Sequence, residues 1–294
     1  MICNEEDMNM IAVTGASGQL GQKVIGALLE SQAPHNIVAL VRNPDNASSL
    51  KEKGVVVRKA DYNSPETLTE ALDGVSKLLL ISGTEFGKRV EQHKAVIDAA
   101  IRQNVSLIAY TSLIKASTSP LLLAQEHKDT EAYLKNANAP FVILRNGWYT
   151  ENYTENVASV LAMGAVVGAA KQGVISTASR QDYAEAAAAV LVTEQDYIGK
   201  TLELAGDSGF TLSEYAQAIS EATGKHIDFI DMDEQAYRQV LIDAGLPEAM
   251  AVAIADSEHY AATGWLHDDS HTLSGLIGRP TTSLQASLDR ALNS

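Results

Sequence analysis

Apolar residues fall into two alternating textures over the first two hundred positions. Short unbroken runs give way to longer stretches in which they recur every three or four residues. The first run is Met10, Ile11, Ala12 and Val13, and Val24, Ile25, Leu28 and Leu29 then mark one face of a helix. Closely spaced glycines lie between the two. The order strand, tight turn, helix opens a parallel βαβ unit. Later runs predict strands at 36–42, 55–60, 77–82, 106–111 and 141–145, and the three-to-four periodicity predicts helices at 64–72, 90–103, 124–136 and 184–192. The 77–82 run is apolar nearly throughout, as a strand covered on both faces should be. Strands alternating with helices at this interval predict an α/β fold, a doubly wound parallel sheet of the dinucleotide-binding (Rossmann) kind.

From residue 200 the texture changes. A strand at 201–205 precedes a helix at 212–223, which Thr211 and Glu214 open as a capping box. A strand at 226–230, helices at 233–244 and 247–262, and a last helix from near Thr282 follow. Residues 1–9 read as a disordered polar extension, with Met10 opening the folded unit. Residues 10–155 read as the dinucleotide-binding domain, to which 173–200 return. Residues 201–294 read as a smaller, acidic α/β domain that closes over a substrate.

Charge separates these parts. The 294 residues carry 37 Asp or Glu against 22 Lys or Arg, a net charge of −15, and 46% are hydrophobic. Residues 201–294 hold 15 of the acids and only 4 of the bases. An anionic cofactor is therefore compatible with the first part, and a DNA-binding surface that neutralises phosphates with neither. Cys3 is the single cysteine, which excludes a disulfide framework and a cysteine metal site. No apolar run reaches membrane-spanning length and no secretion signal is evident, so a cytoplasmic location is expected. Homo-oligomerisation is left open. His267 and His271 stand four apart with carboxylates between them, but no third metal ligand is identifiable, and a solvated acidic turn is expected there.

The chemistry concentrates on the first turn, Gly15-Ala16-Ser17-Gly18-Gln19-Leu20-Gly21. Gly15 frees the backbone to turn, Gly18 lets phosphate approach, and Gly21 lets helix and strand pack closely. The helix start then offers N–H groups to a pyrophosphate. Arg42 ends the second strand, where a guanidinium suits a ribose 2′-phosphate, selecting NADPH over NADH. Asp61 either meets an adenine amino group or serves a turn. Gly15, Arg42, Asp61, Ser82 and Ser112 should share one rim, because ligands of such sheets bind beyond the carboxyl ends of the strands. Behind Ser82 comes a polar loop containing Thr84, Glu85, Phe86, Lys88 and Arg89. Asn146, Gly147, Trp148, Tyr149 and Asn152 form an amide- and aromatic-rich stretch after a core strand, and Arg180 either reaches the cofactor or pairs with Asp182. No tyrosine has a lysine four residues on; Lys115 follows Tyr110 by five. A ketone accepting hydride needs a positioned acid, whereas a quinone yields a delocalised oxyanion. The missing pair points to an easily reduced acceptor or to no catalysis.

Residues 14–21, 39–44, 60–62, 78–82, 109–113 and 144–153 together resemble the quinone-reductase branch of the NmrA-like atypical short-chain dehydrogenases. The likeness continues through Leu-Ala-Gly-Asp-Ser at 204–208 and Gly-Arg-Pro-Thr-Thr at 278–282. It implies NADPH-dependent two-electron reduction of a small-molecule quinone, with residues 15–20, Arg42, the 84–89 loop and 147–152 around the cofactor. A lysine used by some relatives would fall near His127, which becomes a candidate proton donor. Tyr149 and Asn152 are the other catalytic candidates, Asn152 fixing the nicotinamide or the acceptor, with the quinone ring near Phe86, Trp148 and Tyr149. The alternatives are a non-catalytic NADP(H)-sensing regulator, or a reductase of another small carbonyl or enone.

Overall fold

The computed structural model describes residues 10–293, so the expectations for residues 1–9, including Cys3, lie outside the described residues. Among the described residues nine strands are present: β1 Met10–Val13, β2 Ile37–Val41, β3 Val56–Lys59, β4 Val75–Leu80, β5 Leu107–Leu113, β6 Phe141–Asn146, β7 Ala165–Gly168, β8 Thr201–Leu204 and β9 Asp228–Asp231. Seven of them form one sheet in the order β3-β2-β1-β4-β5-β6-β8. β1 pairs parallel with β2 and β4, β2 with β3, and β4 with β5. The order reverses at β1, the topological switch that places a ligand at the carboxyl ends of β1 and its neighbours. β2 and β5 are buried along their whole length, as strands covered on both faces must be. The expectation of a doubly wound α/β fold is met.

The described residues divide into two compact units, one made of residues 10–112, 126–145 and 183–202, the other of residues 113–125, 146–182 and 203–293. In the first, Ala12, Val38, Leu78, Ile97, Ile108 and Leu134 belong to one continuous core. Thr14 fastens β1 to β4 there: its N–H and hydroxyl donate to the Leu79 carbonyl, and its Oγ1 accepts from the Ile81 N–H at 2.9 Å.

The second unit contains a two-stranded parallel sheet of β7 and β9. Neither β7 nor the preceding helix Val157–Met163 is expected from the pattern, and the strand expected at 226–230 lies at Asp228–Asp231. The Thr211–Glu214 capping box forms as expected, on helix Leu212–Thr223. The helix expected from residue 184 starts earlier, at Arg180. A further helix, Thr272–Ile277, follows the 267–271 stretch. There His267 Nδ1 lies 2.8 Å from Ser176 Oγ, and His271 Nδ1 lies 2.9 Å from Asp207. Among the described residues no three His, Cys, Asp or Glu are grouped to hold a metal, and no helix is long and apolar enough to cross a membrane.

Candidate functional site

In the first unit the rim is built on the turn after β1. Gly15 has φ +58°, the left-handed region where a side chain is strained. A Cβ on Gly21 would strike the Gly15 carbonyl oxygen and come within 2.8 Å of Ala16 Cα, so strand and helix pack only around glycine. Gly18 is the N-cap of helix Gln19–Leu29; no side chain caps it, and no acid stands in the first turn. Ala16 and Leu20 are buried, whereas Ser17, Gly18 and Gln19 are exposed. The helix thus begins with uncapped N–H groups and nothing anionic competing for them, the arrangement that takes a phosphate. A dinucleotide pyrophosphate fits this cradle.

Arg42 follows β2 with its side chain 76% exposed, and its one ion pair among the described residues is a loose 3.9 Å approach to Glu85. Its guanidinium is therefore available to an incoming anion. Asp61 is engaged in turn formation: Oδ1 accepts from the Asn63 N–H, and the Asp61 N–H donates to Thr67 Oγ1, both at 3.0 Å. Ser82 donates its N–H to Thr111 Oγ1 at 2.9 Å. Ser112 is buried and donates its hydroxyl to Glu131, which also receives two hydrogen bonds from Arg145, at 2.8 and 2.6 Å. Ser112 and Arg145 thus satisfy a buried carboxylate.

The 83–89 loop presents an exposed Phe86 and a half-exposed Glu85. Arg89, by contrast, is buried, and its guanidinium reaches the Gly83 carbonyl and Glu126. Its charge also lies 5.3 Å from the Phe86 ring. The Gly83 N–H donates to His93 Nε2. His93 was not singled out by sequence, although a signal exists: it sits with Val96, Ile97 and Ala100 on the buried face of helix Arg89–Arg102, where a polar residue needs a partner.

His127 is buried, with Nδ1 2.7 Å from the Tyr110 hydroxyl. Burial, and then the Arg89 charge, hold its pKa well below the ordinary histidine value, while burial pushes the Tyr110 hydroxyl up. The ring is therefore neutral at ordinary pH and accepts from Tyr110 when its proton is on Nε2. A neutral imidazole donates a proton far less readily than an imidazolium.

The second unit holds the 146–153 stretch and Arg180. Asn146 is buried, and its Oδ1 is a buried side-chain acceptor with no partner among the described residues. The Asn146 side chain hydrogen-bonds the Tyr149 hydroxyl, whose pKa is raised chiefly by burial. Gly147 donates its N–H to Leu204, and Trp148 packs partly into the core that contains Leu113, Val166 and Phe210. Thr150 donates to the Ala178 carbonyl, and Tyr149 bridges to Ala178. Arg180 lies over the Tyr149 ring at 5.0 Å, pairs with Glu155 at 2.7 Å and donates to Asn152 Oδ1 at 3.4 Å. Its N–H is taken by the Glu151 carboxylate.

The expected alternative of an Arg180–Asp182 pair is corrected. Asp182, fully buried, pairs with Arg279 at 2.7 Å and accepts from Ser179 and Thr282. Asp207 accepts from Ser274 Oγ and the Thr281 N–H, and its N–H donates to Thr281 Oγ1. Two aspartates far apart in sequence thus clasp residues 279–282. That pairing has no local signature.

The switch point, the uncapped glycine turn and the arginine after β2 define a dinucleotide-binding α/β protein. The chain belongs to the NmrA-like family, which its residues 7–274 match. It is 47% identical to quinone oxidoreductase 2 of Escherichia coli (strain K12), over 97% of this chain and 99% of that protein. The crystal structure of an NADPH-dependent quinone oxidoreductase from E. coli complexed with NADPH superimposes with a TM-score of 0.94, covering 97% of this chain and 100% of the other. That of Citrobacter sp. triphenylmethane reductase gives 0.92 at 37% identity, covering 97% and 100%.

Proposed function

We propose that this protein is an NADPH-dependent quinone reductase. The observation that carries the reading is the near-full-length likeness to E. coli quinone oxidoreductase 2, at 47% identity. When bound, NADPH supplies a hydride, which with one proton from solvent converts a quinone to its quinol. The chain's own residues do the rest. The uncapped turn over residues 15–21 holds the pyrophosphate through backbone N–H groups, and Arg42 forks onto the 2′-phosphate. The exposed Phe86 offers a flat apolar face to a ring. Asn146 presents a buried acceptor to a ligand donor. Asn152, exposed beside Tyr149 with its Oδ1 engaged by Arg180, offers its amide N–H groups as donors. Asp61 serves the turn before helix Pro65–Ala71, and His127 stays neutral, hydrogen-bonded to Tyr110. A cytoplasmic location belongs to the same reading.

A second acceptor class is favoured by one observation. With His127 neutral and tied to Tyr110, an acceptor that takes hydride without a proton suits the chain well. A triphenylmethane dye cation is such an acceptor: a C–H bond forms at its central carbon, its charge is discharged, and no proton is consumed. The 37% identity to Citrobacter triphenylmethane reductase supports trying it. Steady-state NADPH oxidation with a benzoquinone, a naphthoquinone and such a dye tests the reading. Turnover well above the uncatalysed rate is expected with the quinones. Tight NADPH binding with no turnover of any acceptor would leave an NADP(H)-sensing regulator.

A further inference from the structure

Buried Arg89 and His93 and the half-buried Glu126, all of the first unit, converge on the loop that carries Phe86. Gly83 has both backbone groups taken: its N–H donates to His93 Nε2 at 2.9 Å, and its carbonyl accepts from Arg89 Nε at 2.7 Å. Glu126 grips the other end, Oε1 accepting from the Gly87 N–H at 3.0 Å and Oε2 from Arg89 Nη1 at 3.1 Å. Behind the loop, His93 Nδ1 lies 3.0 Å from Thr130 Oγ1, and the Thr130 hydroxyl donates to the Glu126 carbonyl. A backbone N–H only donates, so Nε2 is bare and the His93 proton is on Nδ1. Burial, reinforced by the Arg89 charge, brings the His93 pKa down to about 3, so this acceptor persists at working pH. Gly87, at φ +80°, would otherwise leave the segment free to wander.

We propose that Glu126, Arg89 and His93 are positioning residues, which fix the 83–87 loop by its backbone in the conformation that receives the cofactor. Arg89 then works through the loop and is not a phosphate ligand. The proposal rests on reading this loop as part of the NADPH site. A loop ordered before binding spares the cofactor the entropic cost of ordering it.

The two roles for Arg89 give opposite results. Arg89→Lys keeps the charge but loses the planar fork that reaches Gly83 and Glu126 together. Positioning predicts that Arg89→Lys and Arg89→Gln both weaken NADPH binding on the order of tenfold in fluorescence titration. Glu126→Gln should weaken it in the same direction. KM for NADPH should rise while kcat at saturation stays within about twofold. Amide hydrogen exchange over 83–87 in the free protein should quicken on the order of tenfold in each variant. Wild-type affinity in Arg89→Lys, or tighter binding in Glu126→Gln, would overturn the proposal by making the charge itself the ligand. Thermal melts identify any variant that fails to fold, and Glu126→Gln with its exchange data then decides. Should the wild type ignore NADPH, the cofactor reading fails and the proposal with it. Unchanged exchange in variants of an NADPH-binding protein sinks the clamp alone.

Discussion

The glycine turn with Arg42, in the first unit, and the Asp182–Asp207 clasp, in the second, are both assembled from strongly polar groups. They are finished differently. At the turn the helix start has no cap and Arg42 has only a loose, solvated partner. At the clasp every described carboxylate contact is short and internal: Asp182 meets Arg279, Ser179 and Thr282, and Asp207 meets Ser274, His271 and Thr281. Burial tends to raise the Asp207 pKa, but these donors together bring it below the ordinary carboxylate value. In the reading proposed above, the groups left open are those that meet a ligand, and the groups already satisfied are scaffold. Arg180, held by Glu155 and Asn152, falls on the scaffold side.

The harshest way to break that contrast is to empty the clasp. Asp182→Ala strands Arg279 and the donors of Ser179 and Thr282 around a fully buried position. Removing one partner of a buried pair costs about 3–5 kcal/mol, and the partial exposure of Arg279 puts the expected loss near the low end, about 3 kcal/mol. Chemical denaturation measures it. A loss below about 1 kcal/mol would mean the clasp holds nothing.

A second satisfied carboxylate in the same unit gives a pH signature. Glu258 is buried beneath Gly168, accepting from the Ala169 N–H and the Tyr237 hydroxyl, with Asp231 nearby. Burial, the largest cause, raises its pKa from 4.5 to about 7. The folded state therefore binds the proton more tightly than the unfolded one. Stability should fall as pH rises from about 4.5 to about 7 and level off above, a loss of up to about 3 kcal/mol from this group. Glu258→Gln should flatten that stretch of the stability–pH curve. An unaltered slope would show that Glu258 is already ionised in the fold.

How far this contrast was legible from sequence depends on how local each device is. The glycine turn, the Thr211–Glu214 box and each single strand or helix of the β1-to-β6 alternation are written within about a dozen residues, and the structure has them. The partner of Asp182 is Arg279, nearly a hundred positions away, so proximity in sequence offers Arg180 as an alternative that the structure does not take up. β7 is four residues long and makes no periodic signal, so only its pairing defines it, whereas its partner β9 overlaps the strand expected at 226–230. Sequence shows Arg89 only as one cation of a polar loop, because nothing in a linear pattern reveals that Glu126 and Gly83 occupy it.

On the open side, Arg42→Ala should weaken NADPH binding about ten- to hundredfold, the worth of about 1.5–3 kcal/mol for charged hydrogen bonds to the 2′-phosphate. NADH binding should change less than about threefold. Arg180→Gln, removing a scaffold arginine, should shift both cofactors alike. Equal losses of NADPH and NADH in Arg42→Ala would remove its phosphate role.

The smallest effect sharpens the contrast most, because its sign separates two readings of the same contact. Glu85 lies 3.9 Å from Arg42 and 3.6 Å from Lys88, all three side chains well exposed. If Glu85 serves to hold Arg42 ready, Glu85→Gln should weaken NADPH. An exposed pair is worth only about 0–1 kcal/mol, so that benefit is slight. Against it stands repulsion between the carboxylate and a phosphate seated on Arg42, roughly 1 kcal/mol at about 6 Å in water for each phosphate charge. Repulsion wins, and losing Glu85 also frees Lys88 to face the phosphate. Glu85→Gln should therefore tighten NADPH about two- to fivefold at low ionic strength, leave NADH unchanged, and lose the effect near about 0.5 M salt, where screening acts within about 4 Å. A weaker NADPH complex would mean that Arg42 is held by its neighbour, and that the rim is as finished as the clasp.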